Sequence, residues 1–131
     1  VALNNGNTLV VAETYRGCLT AFDILPSGEL DNRRVWAQLP EDDVPDGTCA
    51  DSEGAIWVAS PTTNRVLRVL EGGTVTDSID IDRKAIACAL GGEDGHTLFI
   101  CSSESTDKDA CLSTRSSVIT AHRVSAPAPK R

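Results

Sequence analysis

Asp46 is the residue of this chain whose type and neighbours point most directly to chemistry. It precedes Gly47 within residues 45–59, where the Asp-Gly pair leads into a short apolar run and residues 51–54 form a further turn. In a ring-shaped β fold, some strands line a central channel. A carboxylate at the start of such a strand would face the channel axis, where oxygen ligands can surround a divalent cation. Asp-Gly is also a common turn dipeptide, so the dipeptide by itself leaves a plain turn and a metal ligand both open.

Asp46 belongs to an acidic group that contains no Lys or Arg. Its members are Glu41, Asp42, Asp43, Asp46, Asp51 and Glu53. A run of like charges is ordinarily solvated, and we expect the group as a whole, Asp46 apart, to form a solvated loop. The chain carries a formal net charge of −7. Phosphate binding needs clustered Lys and Arg, so we expect no nucleic-acid partner.

The five cysteines stand at positions 18, 49, 88, 101 and 111, and none forms a C-x-x-C pair. An odd number of cysteines at wide, irregular spacing fits neither a disulfide framework nor a zinc knuckle. Cys49, Cys88 and Cys101 each lie in an apolar run typical of a strand. We therefore expect reduced, buried thiols and a cytoplasmic protein.

Other residues with chemical potential are better explained by structure. His96 lies in a turn and His122 in the last apolar run, so we expect an exposed turn residue and a structural or surface residue. Trp36 and Trp57 are expected in the core, whereas Glu13, at the end of a strand-like run, is a candidate for a channel rim. The sequence has no G-x-S-x-G, H-E-x-x-H, Walker or G-x-G-x-x-G pattern, which leaves serine-hydrolase, zincin and nucleotide-binding interpretations without support.

The elements that must position these residues are short. Apolar runs, most of four to eight residues and rich in β-branched side chains, alternate with turns made of Gly, Asn, Asp or Pro, which predicts strands. No stretch of ten or more residues shows a helical apolar period between caps, so the predicted class is all-β. The predicted strands cover residues 8–13, 18–24, 34–38, 48–50, 55–60, 65–70, 75–81, 85–90, 97–102 and 117–124.

A repeat underlies these strands. The runs LVVAE, IWVAS and LFICS start at residues 9, 56 and 98, which gives spacings of 47 and 42 residues, and each is followed by a second strand. A period in the forties with about four short strands per unit is the sequence sign of β-propeller blades. The 131 residues therefore make about three blades, and a closed ring needs four to eight. We predict half a ring, with the rest supplied by further chain or by a second copy.

The ends of the chain bear on its completeness. It starts at Val1 and contains no Met, so we expect a processed chain or part of a longer one. It has no apolar run of about 18 residues, which predicts no membrane span, and no signal peptide is recognisable at its start. We assign the partial propeller to residues 1–125 and a flexible tail to residues 126–131.

Residues 45–59 read PDGTCADSEGAIWVA. They resemble the pattern PDG-x-C-x-D-x-(E/D)-G-x-x-W-V-A of the regucalcin, gluconolactonase and luciferin-regenerating-enzyme family. Further motifs stand in the family's order on both sides: GEL and NRRV within residues 28–35, NRVLRV at 64–69, and CALGGED with TLFI within 88–100. Leu90 departs from the family's usual Phe before Gly-Gly. The resemblance covers essentially the whole chain.

The resemblance implies a six-bladed propeller that hydrolyses sugar lactones and related cyclic esters with one divalent metal in its channel. The family's ligands are a Glu near the N-terminus, an Asn of an Asn-Gly pair and the Asp of the PDG motif, and only the last is present here, as Asp46. Asn4-Asn5-Gly6 aligns with a turn, so the Asn-Gly ligand would lie just upstream of Val1. Asp46 would then be a ligand for Ca, Zn, Mn or Mg and the general base toward water.

Two functional interpretations follow. In the first, the chain is the C-terminal half of a metal-dependent, gluconolactonase-like sugar lactone hydrolase, with about three four-stranded blades of the six. In the second, it is a truncated or degenerate propeller without catalytic activity that acts as a binding or self-assembling β module. One ligand of three should neither hold a metal tightly nor catalyse, so whether this chain is itself an enzyme stays open. The expected partners are a sugar lactone and the missing N-terminal half or a second copy.

Overall fold

Residues 1–130, which the computed structural model describes, form eleven strands in three antiparallel sheets and one short α-helix. The first sheet contains β1 (Ala2–Leu3), β2 (Thr8–Glu13), β3 (Cys18–Ile24) and β4 (Leu30–Gln38) in that order. The second contains β5 (Thr48–Ala50), β6 (Ile56–Ser60), β7 (Arg65–Val69) and β8 (Val75–Asp80), again in order. The third contains β9 (Lys84–Gly91), β10 (Thr97–Ser103) and β11 (Val118–Arg123), and α1 (Lys108–Ser113) lies between β10 and β11. Within these residues, no helix is long and apolar enough to cross a membrane.

The inner strands β6 and β7 of the second sheet are buried on both faces, as the alternation along β6 shows. Ile56 and Val58 belong to the core against the first sheet, whereas Trp57 and Ala59 belong to the core against the third. All four side chains are fully buried. Successive side chains of a strand point to opposite faces, so a strand between two neighbouring sheets is apolar at successive positions, as in the first four residues of IWVAS.

Two separate apolar clusters join the sheets. The cluster between the first and second sheets contains Leu3, Val10, Leu19, Ala21, Trp36, Ala37, Leu39, Ile56, Val58, Leu67 and Val69. The cluster between the second and third sheets contains Trp57, Ala59, Val66, Ala85, Cys88, Leu98, Ile100 and Val124. The core positions predicted for Trp36 and Trp57 are confirmed. The three sheets therefore pack in sequence order, and each joint, meaning the interface between two neighbouring sheets, contains one apolar core.

The outer faces of the first and third sheets also carry apolar side chains. Thr20 of β3 pairs with Val11 of β2 and with Val35 of β4, so the side chains of Val11 and Val35 lie on the same face of the first sheet. They are 39% and 60% exposed, and Phe99 and Ile119 on the outer face of the third sheet are 38% and 72% exposed. Val11 and Phe99 alternate with core residues along β2 and β10, so both outer faces point away from the second sheet.

Two parts of the sequence prediction are wrong in detail. The third sheet has three strands within residues 1–130 instead of four, and the chain, predicted to be all-β, contains the helix α1 between two predicted strands. The Asp107 carboxylate accepts hydrogen bonds from the backbone N–H groups of Asp109 and Ala110, which caps the helix. A six-residue helix without buried residues has no apolar stripe that a periodicity search could find.

The residues after β11 turn across the ends of the sheets instead of adding a fourth strand. Ala126 is fully buried. The carbonyl of Pro127 accepts a hydrogen bond from the backbone of Ser52, and the Ala128 N–H donates to Gly95. Proline has no N–H to add to a strand ladder, which suits this crossing segment. The flexibility of residues 126–131 stays a prediction, and Arg131 lies outside the described residues.

Asp51 and Arg68 form a buried ion pair that shapes the turn into β6. One Asp51 oxygen accepts the backbone N–H groups of Glu53 and Ala55, at 2.9 and 3.1 Å. The other accepts Arg68 Nε at 2.8 Å. Both side chains are buried, and a buried charge needs a partner and full hydrogen bonding. The D-x-E-G part of the motif is therefore explained by the turn it builds.

Asp43 and Arg65 form a second pair, which ties the loop before β5 to β7. The Asp43 side chain is buried, and its Oδ1 accepts Arg65 Nε at 3.0 Å and the Thr63 hydroxyl at 2.5 Å. Burial raises the pKa of this carboxyl, but the hydrogen bonds from Arg65 and Thr63 outweigh it, and the pKa of Asp43 lies below its usual value. The prediction that the acidic group as a whole is a solvated loop is therefore wrong for Asp43 and Asp51, whose partners lie outside the acidic stretch.

The backbones of the second and third sheets come into direct contact at Gly47. Its N–H donates to the carbonyl of Ile86 at 2.9 Å, and its carbonyl accepts the N–H of Ala59. A Cβ on Gly47 would lie 2.6 Å from Ala87 Cα and 2.9 Å from the Ile86 oxygen. Both are backbone atoms, so the contact cannot be relieved by a side-chain rotation. Glycine is required here because two backbones meet.

We predict that Gly47→Ala lowers the free energy of unfolding by about 1–3 kcal/mol, since the added methyl group forces β5 and β9 apart. Urea denaturation measures the change. Gly91→Ala is the matched control, because its Cβ would meet the Phe99 ring at an ordinary 3.4 Å. Equal losses in the two variants would contradict the close approach at Gly47.

We predict that Asp51→Asn lowers the free energy of unfolding by about 3 kcal/mol, because it leaves the Arg68 guanidinium buried without its counter-charge. The same denaturation assay reads this loss. Glu53 also pairs with Arg68, at 2.8 Å, but its side chain is 65% exposed, so Glu53→Gln should cost less than about 1 kcal/mol. A small loss in Asp51→Asn would show that the pair does not hold the turn.

Candidate functional site

Asp46 lies above the joint between the second and third sheets, at the entry to β5. Its backbone N–H donates to Ala59 at the end of β6, and the next residue, Gly47, donates to Ile86 in β9. The main chain is therefore fixed to both sheets immediately beside the carboxylate. The Asp46 side chain is exposed, and within residues 1–130 it makes no ion pair and accepts no hydrogen bond. It differs in this from Asp43 and Asp51, whose oxygens are used by the fold.

A cavity of about 320 Å³ lies next to Asp46. Its wall is formed by the end of β10 and by the connection that contains α1. The lining residues are Asp46, Ile86, Cys101, Ser102, Ser103, Ser105, Thr106, Cys111 and Ser117. One carboxylate and several hydroxyl groups thus face a single space, and hydroxyl groups both donate and accept hydrogen bonds.

The connection between β10 and β11 is the part of this site that sequence analysis missed. The sequence motifs assign no role to the residues between the strands predicted at 97–102 and 117–124, whereas the structure places Ser105 and Cys111 beside Asp46. The Cys111 thiol donates to the Ser105 carbonyl at 3.3 Å, which holds α1 against this segment. The direction of the strands could have indicated this placement. β10 ends at the side of the sheets where β5 begins, so the segment that follows β10 lies near Asp46.

The described residues test the metal site implied by the family resemblance. Among residues 1–130, no three His, Cys, Asp or Glu side chains lie close enough together to hold a metal ion. Asp46 supplies one carboxylate, whereas Ca²⁺ takes six to eight oxygen ligands and structural or catalytic Zn²⁺ at least three protein ligands. The donor set present in these residues therefore does not fit a metal ion by itself.

Glu13, the candidate for a channel rim, is already engaged. Its carboxylate pairs with Arg33 at 2.6 Å and with Arg16 at 3.4 Å, and it accepts a hydrogen bond from the Thr20 hydroxyl. That hydrogen bond, together with the two guanidinium groups, lowers the pKa of Glu13 against a smaller opposing effect of burial. These contacts tie Glu13 to Arg16, Thr20 and Arg33 on the outer face of the first sheet.

The remaining candidates lie away from Asp46. Asn4–Gly6 is a 3₁₀ turn after β1, with Asn4 and Asn5 at positive φ, so the turn predicted there is confirmed. It lines a different cavity, together with Ser52 and Glu53 of the turn before β6. His96 is half-buried instead of exposed, because its Nδ1 lies 3.0 Å from the Val124 carbonyl oxygen.

Comparison with known proteins agrees with this arrangement. Residues 3–104 match the SMP-30/Gluconolactonase/LRE-like region. Regucalcin of Oryctolagus cuniculus is 34% identical over 95 residues, which cover 69% of this chain and 32% of the relative. The match thus spans about a third of the length of that relative.

Solved structures show the same fold. A luciferin-regenerating enzyme aligns with a TM-score of 0.80 at 18% identity, over 97% of this chain and 45% of its own. The calcium-binding protein regucalcin of Agrobacterium tumefaciens aligns with a TM-score of 0.75 at 20% identity, over 94% and 44%. The gluconolactonase XC5397 of Xanthomonas campestris aligns with a TM-score of 0.63 at 30% identity, over 75% and 32%. These structural neighbours are six-bladed propellers.

The family match covers most of the chain and includes Asp46, Asp51 and Arg68, the residues that build the turn and the candidate site. By sequence and by fold, the chain belongs to the SMP-30/gluconolactonase/LRE-like family.

Proposed function

We propose that this chain is the C-terminal half of a divalent-metal-dependent sugar lactone hydrolase, with three blades of a six-bladed ring. The observation that carries the proposal is that the Asp46 side chain is exposed while its backbone is hydrogen-bonded to two sheets. The buried members of the same acidic group, Asp43 and Asp51, are instead paired with arginines of the fold. Membership of a family that includes gluconolactonases supports a lactone as the substrate class.

Asp46 has two roles in the proposed reaction. As one ligand of a set completed by residues outside 1–130, it would contribute a carboxylate oxygen to a divalent cation, for which Ca, Zn, Mn and Mg are the candidates. As a general base, it takes the proton from the water that attacks the lactone carbonyl. When bound, the cation supplies electrophilic activation of the carbonyl. The backbone bonds of Asp46 and Gly47 fix the main chain from which the carboxylate extends, and no hydrogen-bond donor among residues 1–130 competes for its oxygens.

The cavity beside Asp46 suits a hydroxylated substrate. Its hydroxyl-bearing wall, which includes Ser102, Ser103 and Thr106, can exchange hydrogen bonds with a sugar ring. A volume of about 320 Å³ is at the lower end of the range for small-molecule sites. We therefore assign substrate orientation to the end of β10 and the segment that follows it.

The remaining metal ligands must come from outside residues 1–130. In the proposed ring, the open faces of the first and third sheets each pack against another blade, and the ligands supplied by that part of the ring face Asp46 across the channel. The activity is therefore a property of the completed ring.

We predict that Asp46→Asn lowers kcat/KM for glucono-lactone opening by at least about 100-fold, because the base and a ligand are lost together. The assay uses this chain expressed with whatever coding sequence precedes Val1, with Ca²⁺, Zn²⁺ or Mn²⁺ added. Asp42→Asn is the matched control, since Asp42 is exposed in the same segment and should leave the rate near that of the parent. A rate without metal dependence, or one that survives Asp46→Asn, would contradict the proposal.

A second candidate function is a self-assembling β module, which the two open faces favour. Val11 on the first sheet corresponds in the repeat to Val58, which packs against a neighbouring sheet. Phe99 on the third sheet corresponds to Trp57, which packs against the next sheet on the other side. The two open faces therefore correspond to the two surfaces that pack together wherever neighbouring sheets of this chain meet. Two copies of the chain could pack through these faces into a ring of six sheets.

We predict that the 131-residue chain sediments at twice its mass of 13.9 kDa, because pairing covers both open faces. Ile119→Glu on the open face should give monomers, whereas Leu112→Glu, at an equally exposed site on α1 (77% against 72% exposed), should leave the dimer intact. Analytical ultracentrifugation distinguishes the species. A folded monomer at high concentration would exclude self-assembly and leave the open faces to further chain.

A further inference from the structure

Cys49 and Cys88 lie side by side where the second and third sheets meet. Cys49 is in β5 and Cys88 in β9, the first strands of their sheets, and their Sγ atoms are 3.7 Å apart although the residues are 39 positions apart in sequence. Neither residue has a part in the proposed lactone chemistry. All five cysteines are free thiols, and this is a pair of them within van der Waals contact.

The other cysteines are not part of this pair. Cys101 is paired with Ala87 in the ladder between β9 and β10, one residue before Cys88. Neighbouring positions face opposite sides of a sheet, so Cys101 points away from Cys88. Cys18 is buried in the first sheet, and Cys111 is exposed on α1.

The two thiols of the pair have different surroundings. Cys88 is buried, and its Sγ lies 3.5 Å from the Trp57 carbonyl oxygen and 3.7 Å from that of Gly47. An anion there would face two carbonyl oxygens, and the hydrogen bond to Cys49 and burial both raise the pKa of Cys88. Cys49 is half-buried, and the same hydrogen bond lowers the pKa of its thiol although burial opposes this. Cys49, the less buried of the two thiols, is therefore assigned as the nucleophile of the pair.

We propose that Cys49 and Cys88 form a redox-active dithiol, which a hydroperoxide converts into a disulfide across the joint of the second and third sheets. The sulfur atoms must approach by about 1.7 Å to reach bonding distance, which side-chain rotation can supply from contact at 3.7 Å. Cys49 is the thiol that a small oxidant reaches, and Cys88 lies behind it as the resolving thiol.

The reaction balances in two steps. The Cys49 thiolate attacks one oxygen of hydrogen peroxide, so an S–O bond forms as the O–O bond breaks, and the released hydroxide takes a proton to become water. The Cys88 sulfur then attacks the sulfur of the Cys49 sulfenic acid and gives up its proton. The S–O bond breaks and hydroxide leaves with that proton as a second water. Two thiols lose two electrons and two protons, and the peroxide is reduced to two waters.

The disulfide would lock β5 to β9 three residues from Asp46. It closes the chain between residues 49 and 88, and a cross-link of that span restricts the unfolded chain. The oxidised protein should therefore resist unfolding more than the reduced one, and the position of Asp46 relative to the third sheet should become covalently fixed.

The test uses the 131-residue chain with Cys111→Ser, which removes the exposed thiol. The protein is treated with a small excess of hydrogen peroxide, its free thiols are alkylated under denaturing conditions, and peptides are mapped without reduction. We expect the four remaining thiols to fall to two, a peptide that links Cys49 with Cys88, and a melting temperature higher by about 10 °C that returns to its starting value on reduction. Cys101→Ser should behave as the parent does.

Cys49→Ser should abolish both the linked peptide and the thermal shift. Four alkylatable thiols after peroxide treatment, a link to Cys101, or Cys49 carried to the sulfinic acid without a link would each overturn the proposal. The linked peptide is read in the protein that keeps both cysteines, so it decides the question even where Cys49→Ser fails to fold. No part of the measurement depends on lactone hydrolysis or on a metal.

Discussion

The close approach of β5 to β9 at Gly47 is the constraint on which most of this structure depends. The Gly47 N–H bonds the third sheet and its carbonyl bonds the second, and a single Cβ at this position would collide with the Ala87 backbone. The contact limits the spacing of the two sheets, between which Trp57 and Ile100 belong to one apolar core. It also fixes the main chain beside Asp46 and brings the sulfur atoms of Cys49 and Cys88 together.

The acidic residues differ in role because they differ in burial. A buried carboxylate must be paired and hydrogen-bonded, and the arginines of β7 meet this requirement: Arg65 pairs with Asp43 and Arg68 with Asp51. These two pairs hold the segments on either side of β5. Asp46 lies between them without a partner in residues 1–130, and a carboxylate whose oxygens the fold does not use is available to a cation or a water molecule.

The sequence was sufficient to predict the all-β class, the repeat and most strand positions, because β-branched runs separated by Gly and Asn turns report directly on local structure. It could also predict the turn at Asn4–Gly6 and the buried tryptophans. It could not separate Asp43 and Asp51 from Asp46, since the arginines that pair with them come from a later strand. The helix α1 was missed because its six residues include no buried side chain and so carry no apolar stripe. The contacts of the segment after β11 could not be predicted because they join distant parts of the chain, as the bond between Ser52 and Pro127 does.

The central claim is that Asp46 is held in place by backbone bonds to two sheets at once, and amide hydrogen exchange at Gly47 tests it most directly. The account predicts that this amide exchanges as slowly as the amides in the middle of β6, because it is bonded across the joint to Ile86 and opens only when the sheets separate. Exchange as fast as that of an exposed turn would contradict the account. Asp46 would then lie on a loop that moves independently of the third sheet.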